Sequence, residues 1–343
     1  VADIRDEYEV IRRRSSERAD RRVLLPLDVA RSRAPELDWT GYQPPVPNDP
    51  GVHSLTVGLD TLEPFIDWSP FFMTWELAGK YPKILDDTVV GESARSLFAD
   101  AREMLDWLIR DGRLEAHGVF GLWPANRLAG IEDVVVYQDE HRKGELARLH
   151  FLRQQTDKPD GQPDFSLADF IAPPPVPDWI GGFAVTAGVG IEQVLAEHAR
   201  DDYASIMIKA LADRLAEAFA EYLHKQVRTR HWGYAAGENL GNEALIKESY
   251  RGIRPAPGYP ACPEHSEKVT LFSLLDATHA TGMTLTDHYA MLPAASVSGW
   301  YFAHPEARYF GIGKIGDDQL ADYAARKGVS EHAARALLRP NLQ

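Results

Sequence analysis

The run RPAPGYPACPEH, Arg254–His265, constrains this chain more than any other stretch. Pro255, Pro257 and Pro260 precede Cys262, and Pro263 follows it. Each proline locks φ and removes a backbone donor, so the segment can form neither a helix nor a central strand. What remains is a stiff loop presenting Arg254, Tyr259 and His265, and binding residues concentrate on loops held by a scaffold. An arginine beside a tyrosine on such backbone suits a carboxylate. The guanidinium fork pairs bidentately while the ring supplies flat apolar contact. A proline-rich surface turn with its arginine in water is the plain alternative, and a short R-x-x-x-G-Y-P pattern does not decide between them.

The charge balance narrows the partners. Lys and Arg number 37 against 51 Asp and Glu, a net charge of −14. Such an acidic chain is poorly suited to nucleic acid or to an anionic membrane surface, and no apolar run approaches the ~20 residues of a membrane helix. Cys262 is the single cysteine. It excludes an internal disulfide framework and fits a reducing compartment, so a cytoplasmic protein is expected.

Along the chain, residues 3–22 are dense in alternating charge and read as a solvated helix or a linker, the kind of segment that joins a domain to something upstream. A proline-rich stretch follows and reads as an extended arm clamped by Trp39 and Tyr42. Residues 1–40 are therefore expected to be arm and linker, and 41–343 one domain, with compact structure starting near residue 50. Ser69-Pro70 opens a candidate helix over 69–79. Residues 92–111 carry an amphipathic stripe of Ala94, Leu97, Phe98, Ala101, Met104, Leu105, Leu108 and Ile109. Strands are expected at 118–125, 131–137 and 179–187, while 145–152 is ambiguous. The longest helix is expected at about 201–228, with Met207, Leu211, Leu215, Ala218 and Tyr222 inward. Short helices are expected at Asn242–Ser249 and 266–277, then a hairpin around His304–Ala307, then a helix over Asp317–Lys327 and another capped by Ser330. Strands and helices without regular β-α-β alternation predict an α+β fold with a largely antiparallel sheet.

Several motif lookalikes fail on chemistry. Gly311–Gly316 spells G-x-G-x-x-G, but Asp317 and Asp318 put two carboxylates where a pyrophosphate would sit. Gly188-Val189-Gly190 lacks a third glycine and suits helix capping. Asp139–Gly144 fits D-x-H-x-x-G, yet its His141 stands in a highly charged turn and reads as solvent-facing. Cys262 and His265 form C-x-x-H without a second cysteine, too few soft ligands for a closed zinc site. Neither a G-x-S-x-G elbow nor an H-E-x-x-H helix is present, so a self-contained hydrolase is not expected.

The remaining unusual segments share one theme. A zwitterionic sulfonium ligand, S-adenosylmethionine, wants an arginine for its carboxylate, carboxylates or aromatic faces for its cations, and an apolar slot for adenine. Asp67 stands between aromatics ahead of a helix. Glu217, at the edge of a helical apolar stripe beside Arg214 and Glu221, and Glu248 precede the Arg254 loop. Tyr309 and Phe310 begin the second strand of the expected hairpin. Each also has a plain reading: a helix cap for Asp67, solvated helix faces for the glutamates, core strand residues for the aromatics.

Four of these segments, IDWSPFFMTWELAGKYPKIL, MIKALADRLAEAFAEYLH, NEALIKESYRGIRPAPGYPACPEH and ASVSGWYFAHPEARYF, closely resemble the C-terminal activation domain of cobalamin-dependent methionine synthase. The resemblance runs in order from about residue 40 to the end. It implies a C-shaped or helmet-like α+β domain with a twisted antiparallel sheet and flanking helices. It also implies S-adenosylmethionine as ligand, cobalamin held by a separate module, and flavodoxin or an equivalent reductase as electron-donating partner. By resemblance, Asp67, Arg254, Tyr259, Tyr309 and Phe310 match ligand-binding positions, Phe310 often having a tyrosine counterpart. Glu217 and Glu248 match nearby acidic positions, and Ala256 would permit close backbone approach. The implied task is to present a methyl donor during reductive methylation of cob(II)alamin, with no acid, base or nucleophile of its own. A docking domain with a vestigial ligand site, or a free-standing methyltransferase with its own acceptor, remain the alternatives.

Overall fold

A computed structural model of the chain describes residues 23–159 and 161–343. The charged segment 3–22 lies outside the described residues. Among the described residues, packing is already in place at Leu24, well ahead of residue 40. Leu24 pairs with Thr156, and helix α1 (Leu27–Ser32) docks on the far end of the chain through the Leu27 N–H to Asp318 Oδ2 (2.6 Å). Arg31 bridges Glu132 and Asp322. The arm beyond it is clamped as expected: Trp39 and Tyr42 both pack their rings 4.8 Å from His304.

The chain then lays down β1 (Gly51–Val57), α2 (Leu59–Leu62), α3 (Ser69–Thr74) and α4 (Gly91–Arg110). β2 (Glu115–Arg127), β3 (Asp133–Tyr137), β4 (Glu145–His150) and β5 (Asp178–Val189) follow. Next come α5 (Ile191–Glu197), α6 (Asp202–Gln226), α7 (Asn242–Ile246), α8 (Glu267–Leu275) and α9 (Ala277–Thr281). The short pair β6 (Thr284–Leu285) and β7 (Met291–Leu292), then β8 (Ser296–Tyr301), α10 (Asp317–Lys327) and α11 (Glu331–Leu337), complete the order. The main sheet has six strands in the order β4-β3-β2-β5-β8, with β1 also on β2, and every pairing is antiparallel. This is the expected α+β class. The segment 145–152 resolves as strand because its residues pair with β3.

Both sheet faces are covered, which explains why β5 reads as a continuous apolar run. Alternation along β2 sends Phe120 and Leu122 to one face, against α4 and α6, and Val119 and Trp123 to the other, with Leu271 of α8. The α4 stripe is real: Ala94, Leu97, Ala101, Leu105 and Leu108 are buried. Burying each such leucine contributes about 2 kcal/mol. On α6, Met207, Leu211, Leu215 and Ala218 are buried as expected.

The folded chain departs from expectation at several further points. The helix expected over 266–277 is broken by Asp276 at a left-handed φ of 47°. The helix at Ser69 stops at Thr74 because Glu76 adopts a left-handed φ of 59°. β1 has no counterpart among the expected strands; most of its side chains face water, and only Leu55 and Val57, either side of exposed Thr56, pack on the core. The late hairpin does not form. β8 pairs instead with β5, and Ile253 bridges Phe302 on its other edge, while residues 308–314 run on without strand pairing. A third apolar cluster around Leu152, Ile312, Leu320 and Tyr323 draws that segment toward α10.

Candidate functional site

The proline loop is built as an edge of the sheet. Ile253 and Phe302 exchange backbone hydrogen bonds at 3.0 and 3.1 Å, and the Trp300 N–H donates to the Pro255 carbonyl at 2.9 Å. An edge position is where proline is tolerated, because its missing donor faces outward. Farther on, the Gly258 N–H donates to the Cys262 carbonyl (2.7 Å) and the Cys262 N–H to Tyr259 (2.9 Å), closing a tight turn. Gly258 sits at φ 98°, and a Cβ there would lie 2.3 Å from the His265 ring, so the turn requires glycine. The Ile312 N–H fastens the loop from outside by donating to the Pro260 carbonyl at 2.8 Å.

Arg254 does not wave in solvent. Its side chain is 17% exposed, and Nη1 donates to Glu221 Oε2 and to the Tyr250 hydroxyl, both at 2.7 Å. Its backbone N–H donates to the Tyr309 hydroxyl at 3.0 Å. Burial works against the guanidinium charge, but Glu221 and the surrounding phenols outweigh it and hold the group charged. Among the described residues, Nε and Nη2 of Arg254 form no hydrogen bond. That edge of the fork is free to take a carboxylate.

A cleft of about 220 Å³ opens in front of this arginine. Its walls include Phe65, Asp67, Glu217, Glu221, Glu248 and Arg254. The structure thus brings Asp67, Glu217, Glu248 and Arg254 together from four separate elements. Asp67 also has its plain role, because Oδ1 accepts the Ser69 N–H at 2.9 Å and caps the start of α3. Glu248 occupies the turn after α7 at a left-handed φ of 53°, a conformation uncommon for a side chain of its kind.

The other expected residues sit around the cleft rather than in its wall. Tyr259 is 60% exposed; partial burial, then the carboxylates of Glu217 and Asp213, raise the pKa of its phenol, so the ring stands near the Glu217 end. Ala256 is half-buried and its carbonyl accepts the Tyr259 N–H. Tyr309 reaches the Arg254 backbone, but its neighbour turns away. Phe310 packs its ring 5.6 Å from Phe165 and 6.4 Å from Phe170, in the opposite core. In extended chain, successive side chains point to opposite sides, so the expected flanking pair is split.

Sequence reasoning missed the polar group behind Arg254. Glu221 lies one helical turn beyond Glu217 on α6, a spacing that places both on one face and could have flagged it. Arg228, fully buried in a π-helical turn (Val227–His231) that continues α6, is paired bidentately with Glu238 at 2.6 and 2.8 Å. Its guanidinium lies 4.0 Å from the Tyr250 ring centre. His224 stacks on Tyr301 at 5.1 Å; burial and the nearby Arg228 and Arg254 charges push its pKa far down, so it is neutral.

The rejected motifs stay outside this site. The N-terminal turn of α10 is filled by the chain itself, with Asp318 accepting from Leu27 and Gln155. Gly190 sits at the start of α5 with φ 90°, the capping role. His141 is exposed, and its N–H donates to Asp139. No group of three or more His, Cys, Asp or Glu among the described residues is arranged to hold a metal ion. No helix among them is long and apolar enough to cross a membrane.

Fold and site together define an α+β domain whose loop-borne arginine faces a carboxylate-lined cleft. Residues 58–328 match the family described as vitamin B12 dependent methionine synthase, activation domain. The chain belongs to that family. It is also similar to a solved structure, "Crystal Structure of the MetH Reactivation Domain bound to AdoHcy". The two are 52% identical over 93% of this chain and 98% of that one, with a TM-score of 0.90.

Proposed function

We propose that the cleft at Arg254 binds S-adenosylmethionine, and that the domain presents this donor for reductive methylation of cobalamin held by another module of methionine synthase. The observation that carries the reading is the divided guanidinium of Arg254: Nη1 is committed to Glu221 and Tyr250, while the Nε/Nη2 edge is free in a cleft lined by Asp67, Glu217 and Glu248. The free edge suits the carboxylate of an amino-acid end, and the surrounding carboxylates suit its cations. The similar reactivation domain crystallised with AdoHcy, the demethylated form of this ligand, supports the assignment.

In this reading Arg254 orients the methionyl end, Asp67, Glu217 and Glu248 favour the ammonium and sulfonium, and Tyr259 and Tyr309 border the ligand. Phe310 contributes its backbone position while its ring holds the opposite core. Ala256 keeps the loop backbone approachable. The sulfonium, when bound, supplies an electrophilic methyl group, so the residues of this chain need only hold it in line, an effect of positioning. The domain works in the cytoplasm with the cobalamin-binding module and with flavodoxin or an equivalent reductase. Alone, it binds without turnover.

Isothermal titration with S-adenosylmethionine tests the reading directly. Arg254→Ala is expected to weaken binding by about 2–5 kcal/mol, as for a buried charge pair cut on one side. No measurable binding by the unaltered domain would instead favour a docking role. Methyl transfer to a small molecule without any corrinoid would favour a free-standing methyltransferase.

A further inference from the structure

Next to the arginine lies a polar layer that the binding reading uses only as the partner of Nη1. Glu221 accepts Nη1 of Arg254 through Oε2, and its other oxygen, Oε1, is buried without a hydrogen-bond partner. Facing Oε1 at 3.8 Å is Nη1 of Arg228, equally buried and equally without a partner. Arg228 is held on its other edge by Glu238 and from one face by the Tyr250 ring. Glu221 therefore stands between two arginines, one lining the cleft and one sealed in the core.

We propose that Glu221 is the positioning residue of the site: with Arg228 behind it, it pins one end of the Arg254 guanidinium so that the opposite edge meets the ligand's carboxylate. The inference rests on the reading that Arg254 anchors the amino-acid end. A guanidinium is planar, so two bonds at 2.7 Å to one terminal nitrogen set the plane and direction of the remaining donors. Arg228 offsets the charge of Glu221, so the positive charge of Arg254 is not consumed by its own partner. Long side chains lose rotamer freedom when they bind, and a pinned one has lost it beforehand.

The test uses two ligands that share the nucleoside and differ at the amino-acid end: S-adenosylhomocysteine, and 5′-methylthioadenosine, which has no carboxylate. Calorimetric titration of Glu221→Gln should show S-adenosylhomocysteine affinity down roughly tenfold to a hundredfold, the range for one charged hydrogen bond, with 5′-methylthioadenosine changed by no more than about twofold. Equal loss of both ligands would mean a merely structural role and overturn the inference. Full retention of both by Glu221→Gln, with Arg254→Ala still impaired, would overturn the inference and leave the anchor standing. Unimpaired binding of S-adenosylhomocysteine by Arg254→Ala would overturn the anchor reading and this inference with it. Should Glu221→Gln fail to fold by circular dichroism, Tyr250→Phe removes the second bond to the same nitrogen. The same selective loss is expected there, and its absence counts against the proposal.

Discussion

The hydroxyl of Tyr309 accepts the backbone N–H of Arg254 at 3.0 Å, joining the segment after β8 to the first residue of the proline loop. The bond orients the residue that carries the guanidinium, not the guanidinium itself. Tyr309→Phe removes it, and water can replace it because the contact is exposed. Stability is therefore expected to fall by no more than about 1 kcal/mol. Ligand affinity should fall more than stability, because the loop loses a restraint on the binding side. Thermal melting and calorimetry on one preparation check this; equal losses would count against a loop-orienting role.

Phe310 makes the opposite prediction. Its ring packs against Phe165 and Phe170, on the other side of the chain from Arg254. Phe310→Ala should cost about 2–4 kcal/mol of stability through the cavity it leaves. Affinity for S-adenosylhomocysteine should change little at temperatures where the variant is folded. A large affinity loss with small destabilisation would place the ring at the ligand instead.

Gly299 couples the sheet to the loop. A Cβ there would lie 2.7 Å from the Pro255 carbonyl oxygen, the atom that accepts the Trp300 N–H. Gly299→Ala must push the loop away from β8, at a cost of about 1–3 kcal/mol. Because Arg254 precedes Pro255 directly, ligand binding should weaken as well. Wild-type affinity in this variant would show that the cleft tolerates displacement of the loop.

Stability should also respond to acid through buried histidine. His304 is 4% exposed, and burial together with the Arg251 charge lowers its pKa to about 4. The unfolded chain takes up that proton near pH 6.5, so between about pH 4 and 6.5 the unfolded state holds more protons. Stability contributed by His304 is therefore present above pH 6.5 and lost on acidification through that window, at up to about 1.4 kcal/mol per pH unit. His224 acts in the same direction. Urea unfolding of His304→Gln should show a slope against pH shallower by one proton than the unaltered chain. Identical slopes would mean that the imidazole titrates normally in the folded protein.

Much of the scaffold was legible because its signals are local. The α4 stripe, the apolar run of β5 and the prolines around Cys262 each state their conformation within a few residues. Other features failed for an equally local reason. β1 is exposed on most positions, and its alternation is confined to Leu55, Thr56 and Val57, too short a signal to read as a strand. The hairpin expected around His304 looked sound because aromatic residues flank a turn, yet both edges of β8 were already taken, by β5 and by Ile253.

By itself the chain dictated the α+β class, the stiff loop and the identity of the arginine it carries, since proline geometry and apolar periodicity act between near neighbours. Which carboxylate meets that arginine was decided only in three dimensions. Glu221, 33 residues earlier on α6, reaches Nη1, and an exposed tyrosine 55 residues later holds the backbone. Tyr309 and Phe310 part company for the same reason: pairing across the sheet and the packing of three apolar clusters set where each side chain ends, and neither is written in its neighbours.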